Sequence, residues 1–181
     1  MLLDPLQSTI LIVDVQTRLL PAMQEPQRVL ARSSILLKVA ETLQIPVTVS
    51  EQYSKGLGRT VPELANNTAT VFEKITFSCW RDAAMRKHFM QIHDGGRPLV
   101  IVAGIEAHVC VLQTCIDLYA SGFGVFAVSD AMSSRDPSSA QLAYERMRDA
   151  GIQVVNTEMV VFELLGKAGT PEFKTLSALI K

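Results

Sequence analysis

Cysteine is scarce in this chain and odd in number. Three among 181 residues, with no C-x-x-C pair, exclude a disulfide framework and give no zinc or dithiol centre. Charge of one sign is equally lacking. Seventeen Lys and Arg against eighteen Asp and Glu leave a formal net charge of −1, so nothing draws the chain to nucleic acid or an anionic membrane. Long hydrophobic runs are missing too. The longest, such as 99–103 (LVIVA), are strand-sized and far short of a bilayer span. The first residues carry Asp4 and Pro5 and no basic stretch, so no secretory signal is expected and a cytoplasmic location is. Glycine is absent where a phosphate cradle needs it: Asp14-Val-Gln-Thr-Arg18 has none, and Gly56-Leu-Gly58 and Gly122-Phe-Gly124 are wrongly placed. No nucleotide cofactor is therefore implied, and a flavodoxin-like reading is disfavoured.

What is present is a regular alternation. Short, continuous apolar runs at 9–13, 47–49, 70–72, 99–103, 125–128 and 152–155 read as strands covered on both faces. Between them lie helical patterns at 28–43, 82–92, 107–120 and 138–150, the last with Pro137 before it and Gly151 at the position a helix end favours. Forty-eight per cent hydrophobic residues over this length suffice for one full core. Strand alternating with helix along the whole chain predicts a single α/β domain over 1–181, a parallel sheet in a three-layer α/β/α arrangement. The stretch 51–64 (EQYSKGLGRTVPEL) interrupts the rhythm directly after the second strand. Loops at the carboxyl ends of strands line the ligand crevice in such sheets, so a lid or pocket wall is expected there.

Three reactive side chains fall just past strand ends. Asp14 ends the first, Lys74 follows the third, and Cys110 opens the helix after the fourth. Each alone has an ordinary explanation: a helix cap, a solvated lysine, a small buried thiol. Together they make a nucleophilic site. A helix N-terminus and a nearby ammonium both favour a thiolate at Cys110. Backbone N–H groups of the same first turn are placed to hold an oxyanion. Asp14 is the candidate proton acceptor and later general acid, with Lys74 holding carboxylate and thiolate together.

These residues carry a resemblance. Ile12-Val-Asp14-Val-Gln16, Phe72-Glu-Lys74 with Phe77-Ser78, Gly104-Ile-Glu-Ala-His-Val-Cys110-Val111 and Asp130-Ala131 together resemble the isochorismatase-like cysteine hydrolases, over roughly residues 7–165. The resemblance implies a Rossmann-like, six-stranded parallel sheet and an Asp14–Lys74–Cys110 triad. It also implies a cis peptide between Glu106 and Ala107, in a turn that aims N–H groups including that of Cys110 at a substrate carbonyl. Metal-binding members carry Asp-x-His after the second strand. Here that stretch reads Glu51-Gln52-Tyr53, and His88, His93 and His108 are not spaced as ligands, so no metal is expected. The resemblance favours hydrolysis of a C–N bond, amide or ureido, through a Cys110 thioester on a small-molecule substrate. It also implies a homo-oligomer, for which residues 160–165 and 176–180 are candidate contacts. Gln16, Tyr53, Phe77, Trp80 and His108 are candidate pocket residues. Cys79 and Cys115 have no evident catalytic place. The competing reading is a catalytically idle binding or scaffold module on the same fold.

Overall fold

The computed structural model describes residues 1–65 and 68–180; positions 66, 67 and 181 of the expected 1–181 domain lie outside the described residues. Six strands form one sheet: β1 (Ser8–Val13), β2 (Val47–Gln52), β3 (Thr70–Lys74), β4 (Leu99–Ile105), β5 (Gly124–Ser133) and β6 (Gln153–Val155). Their order is β3-β2-β1-β4-β5-β6, and each neighbouring pair is parallel. The helices are α1 (Pro26–Leu43), α2 (Ser54–Leu57), α3 (Ala83–Asp94), α4 (Leu112–Ala120), α5 (Pro137–Asp149), α6 (Thr157–Leu165) and α7 (Pro171–Ser177).

The continuous apolar strands divide their side chains between two cores, as a period of two requires. Ile10 and Ile12 of β1, Ile101 and Ala103 of β4, and Phe126 and Val128 of β5 pack with Val29, Leu36 and Val39 of α1 and with Val160, Val161 and Leu164 of α6. Leu11, Val13, Val100, Val102, Val125 and Ala127 face the other way. They meet Met85 and Phe89 of α3, Leu118 of α4 and Met147 of α5. Capping side chains start four helices. Asp82, Asp136, Asn156 and Thr170 each accept a first-turn backbone N–H of α3, α5, α6 and α7. Gly151, with φ +91°, follows the end of α5 in the left-handed region, as the sequence predicted.

Three expectations need correction. The helix expected over 107–120 begins as a π-type turn, Ala107–Val111, and becomes α-helical at Leu112. Residues 160–165 and 176–180 are contact surface only in part: Val160, Val161, Leu164 and Leu176 are buried within the subunit, because α6 and α7 cover the α1 face of the sheet, whereas Phe162 and Leu179 remain exposed. β3, at the sheet edge, is not covered on both faces, and Val71 is exposed.

The strand order reverses at β1, whose two neighbours are β2 and β4. Chains leaving β1 and β4 therefore depart on opposite faces and open a crevice at their carboxyl ends, the switch point where α/β sheets take ligands. Asp14 directly follows β1, and Cys110 lies in the turn directly after β4.

Candidate active site

Asp14 is fully buried and sits in the left-handed region at φ +52°. Its N–H donates to the Ser50 carbonyl at 3.1 Å, and the Ser50 hydroxyl donates to Asp14 Oδ1 at 2.7 Å. Lys74, the last residue of β3, is also buried. It crosses β2 to place Nζ 2.8 Å from Asp14 Oδ2. Nζ also reaches Gln52 Oε1 at 2.7 Å and the carbonyls of Thr76 and Phe77 at 3.2 and 3.1 Å. Four acceptors surround an ammonium with three N–H donors, so it is fully engaged. Burial, the largest single influence, disfavours its charge; the Asp14 carboxylate, by charge and hydrogen bond, together with the facing Cys79 and Cys110, holds the lysine above its ordinary pKa.

Cys110 completes the cluster. It is buried apart from a small exposed fraction of 6%, and its thiol faces the Asp14 and Lys74 charges. Burial first, and the Asp14 charge second, push this thiol well above the usual cysteine range, and the Lys74 charge offsets them in part. The expected resting thiolate is therefore corrected. The Lys74 ammonium that should stabilise it is outweighed by burial and the Asp14 charge together, which favour the thiol.

The turn holding Cys110 contains a cis peptide, at Ile105–Glu106 rather than the expected Glu106–Ala107. Ile105 is still paired with Ser133 of β5, and the Glu106 carbonyl is committed to the following turn, accepting from Val109 and Val111 N–H. The reversal is thus made one bond earlier. Glu106 Oε2 accepts from the backbone N–H and Nε of Arg135, which ties the turn to the loop before α5. Ala107 is buried at its start.

The candidate pocket residues fare differently. Gln16 is buried and does not bond Asp14: its Nε2 donates to the carbonyls of Gln52 and Gly58, and its Oε1 accepts from Gln52 N–H. Tyr53 and Phe77 sit beside Lys74 through their backbones, Tyr53 N–H donating to the Lys74 carbonyl, and both rings are about half exposed. His108 is half-buried with Nδ1 2.8 Å from Ser134 Oγ. Trp80 packs edge-on against Phe123, which follows the far end of α4, and lies partly buried against the core on the α3 and α4 face. Of the other histidines, His88 bonds Thr48 Oγ1 at 2.9 Å, and burial lowers its pKa; His93 packs on Phe123. Among the described residues no group of three His, Cys, Asp or Glu side chains is arranged to hold a metal ion.

Sequence reasoning missed Ser50, Gln52 and Cys79. Cys79 is buried, with Sγ donating to Ser50 Oγ at 3.5 Å. The signal was available in β2: its last three residues are polar yet buried, and alternation puts Ser50 and Gln52 on one face and Glu51 on the other. Glu51 faces the 51–64 stretch, accepting from Thr60 N–H and hydroxyl and from Arg59 at 2.8 Å each. With Arg18 N–H on the Leu57 carbonyl and Val61 N–H on that of Val15, this stretch is pinned to the segment that follows β1.

Fold and site define a class, a parallel α/β/α protein with a buried lysine–carboxylate pair against a cysteine at its switch point. The chain belongs to the isochorismatase family, whose Isochorismatase domain model matches residues 8–159. A secreted isochorismatase effector, Isc1 of Phytophthora sojae, is 36% identical over 99% of this chain and 87% of its own length. The MAR1 ribonuclease structure from Caenorhabditis elegans superposes with a TM-score of 0.91 at 34% identity, over 99% of this chain and 92% of that one. The YcaC gene product of Escherichia coli, an octameric hydrolase of unknown specificity, superposes with a TM-score of 0.90 at 25% identity, over 98% and 90%. The family is that of isochorismatase-like hydrolases, and no helix among the described residues is long and apolar enough to cross a membrane.

Proposed function

We propose that the chain is one domain and a cysteine hydrolase that cleaves a C–N bond, amide or ureido, of a small molecule through a Cys110 thioester. The observation that carries this is the buried Cys110 facing an Asp14 carboxylate whose Oδ2 is held by Lys74 at 2.8 Å in a fully buried pair. Cys110 gives its proton to Asp14 as sulfur attacks the carbonyl carbon. The oxyanion that forms is held by backbone N–H groups of the turn carrying Glu106, Ala107 and Cys110. Asp14 returns the proton to the nitrogen, the C–N bond breaks, and amine or ammonia leaves a thioester. Water then attacks, with Asp14 taking its proton, and releases the acid and the thiol. Lys74 holds the Asp14 carboxylate in place through the cycle. Tyr53 and Phe77 form the exposed apolar rim a planar substrate crosses, and His108 lies on the other side of the nucleophile turn.

An octameric relative supports a homo-oligomer for this chain. A reduced, cytoplasmic setting suits an unpaired catalytic thiol, although one relative is secreted.

A panel of amides and ureido compounds, assayed for released ammonia or amine, tests the reading. Turnover should be lost in Cys110→Ala, and intact protein caught mid-reaction should carry the acyl mass on the peptide containing Cys110. Turnover that survives Cys110→Ala would remove the mechanism. Since a structural relative is named as a ribonuclease, the same preparations should be offered RNA; cleavage dependent on Asp14 with none of the panel turned over would move the substrate class away from C–N bonds.

A further inference from the structure

We infer that Ser50 is a positioning residue of this site, fixing the Asp14 carboxylate in the orientation from which it takes the Cys110 proton. The inference rests on the thiol–carboxylate reading above. Ser50 grips Asp14 at both ends: its carbonyl accepts the Asp14 N–H at 3.1 Å, and its hydroxyl donates to Oδ1 at 2.7 Å. Lys74 holds the other carboxylate oxygen. With both oxygens tied, the carboxylate plane has no freedom to swing away from Sγ, and Asp14 keeps a backbone conformation that an L-residue otherwise adopts at some cost.

The direction of the Ser50 hydroxyl is itself set. A hydroxyl both donates and accepts, and here its accepting side faces the Cys79 thiol at 3.5 Å. Burial pushes Cys79 up to about 11, so it stays a donor throughout the working pH range. The Cys79 N–H is anchored on Thr114 Oγ1 of α4 at 2.9 Å. The hydroxyl proton of Ser50 is thus left pointing at Asp14. A β2 serine with no exposed surface would otherwise bury a polar group for no return.

The titratable groups facing the Cys110 thiol are Asp14 after β1, Lys74 of β3 and Cys79 before α3. Removing the Ser50 hydroxyl leaves the Asp14 charge less compensated, and that charge already raises the thiol. The experiment is the rate of Cys110 alkylation by iodoacetamide from pH 5 to 10, with Cys79 and Cys115 followed separately by peptide mapping and folding checked by circular dichroism. Ser50→Ala should lower the rate at pH 7 about tenfold, the effect of one lost hydrogen bond to a charged group. It should also move the profile up by about one pH unit, and Ser50→Thr should restore both. If Ser50→Ala does not fold, Ser50→Cys, a weaker donor of similar volume, should show the same shift. An unchanged profile in the folded Ser50 variant, with Asp14→Asn altering it, would overturn the role of Ser50 alone. A profile indifferent to Asp14→Asn as well would take the thiol–carboxylate reading down with it.

Discussion

At the scale of single residues, the site is a charge problem solved by pairing. Two oppositely charged groups without solvent exposure are tolerable because every donor of Lys74 and both oxygens of Asp14 are engaged. Removing one partner leaves the other charge buried and alone, which costs about 3–5 kcal/mol. Lys74→Met is therefore expected to lose about that much in urea denaturation, whereas Lys74→Met combined with Asp14→Leu should recover part of it. A double variant no more stable than the single one would show that the pair is not what holds this region. Asp14, Lys74 and Cys110 were legible in the sequence because each is a reactive residue at the end of a strand or in the turn that follows it. Ser50 and Gln52 were not, because residues 51–64 read as a loop and the strand run as ending at Val49. Carrying β2 through to Gln52 would have shown two polar side chains on the face turned towards Asp14.

At the scale of elements, the fixed course of residues 51–64 depends on Glu51. Burial alone would raise its carboxyl; the Thr60 N–H, the Arg59 guanidinium and the Thr60 hydroxyl together hold it below the usual carboxylate range. A carboxyl depressed in the folded state contributes stability above its unfolded pKa of about 4.3. That contribution is lost as pH falls through the lower, folded value. Hydrogen-exchange protection of the Thr60 amide should accordingly fall as pH drops below about 4, and Glu51→Gln should remove that dependence; protection that stays level in the native protein would deny Glu51 this role. Where β4 passes β1, Gly104 is required for a different reason. It has φ +122°, and a Cβ there would lie 2.1 Å from the Val13 carbonyl oxygen, which is backbone and cannot yield. Gly104→Ala must part β1 from β4 next to Asp14. A loss of about 3 kcal/mol or more is expected, with slower Cys110 alkylation, and a variant of native stability would contradict the close approach. The strands were readable from their apolar runs, whereas the π-type opening of the 107–111 turn was not. No periodicity distinguishes five such residues from the start of an α-helix.

At the scale of the whole molecule, the fold class was legible because covered strands alternating with helices have few stable arrangements. The order of the strands was not, since apolar runs of similar length do not say which is central. The placement of the chemistry follows from that order: β1 lies between β2 and β4, so Asp14 meets Cys110 from one side and Lys74 across β2 from the other. Residues 160–165 and 176–180 were candidate contacts because the resemblance implies an oligomer and their apolar residues suit either an interface or the core. α6 and α7 close the core over α1, and Leu176 has no exposed surface. That assignment makes an asymmetric prediction. Leu176→Ala should cost about 2–5 kcal/mol of folding stability, as truncation of a fully buried leucine does, seen as a lower urea midpoint. Leu176 packs on the face of the sheet opposite α4 and the Cys110 turn. Below the transition, the alkylation rate of Cys110 in that variant should therefore stay within about twofold of the native protein, the range expected of independent sites. A large change in thiol reactivity without loss of stability would mean that the two sides of the sheet are coupled through something other than their shared strands.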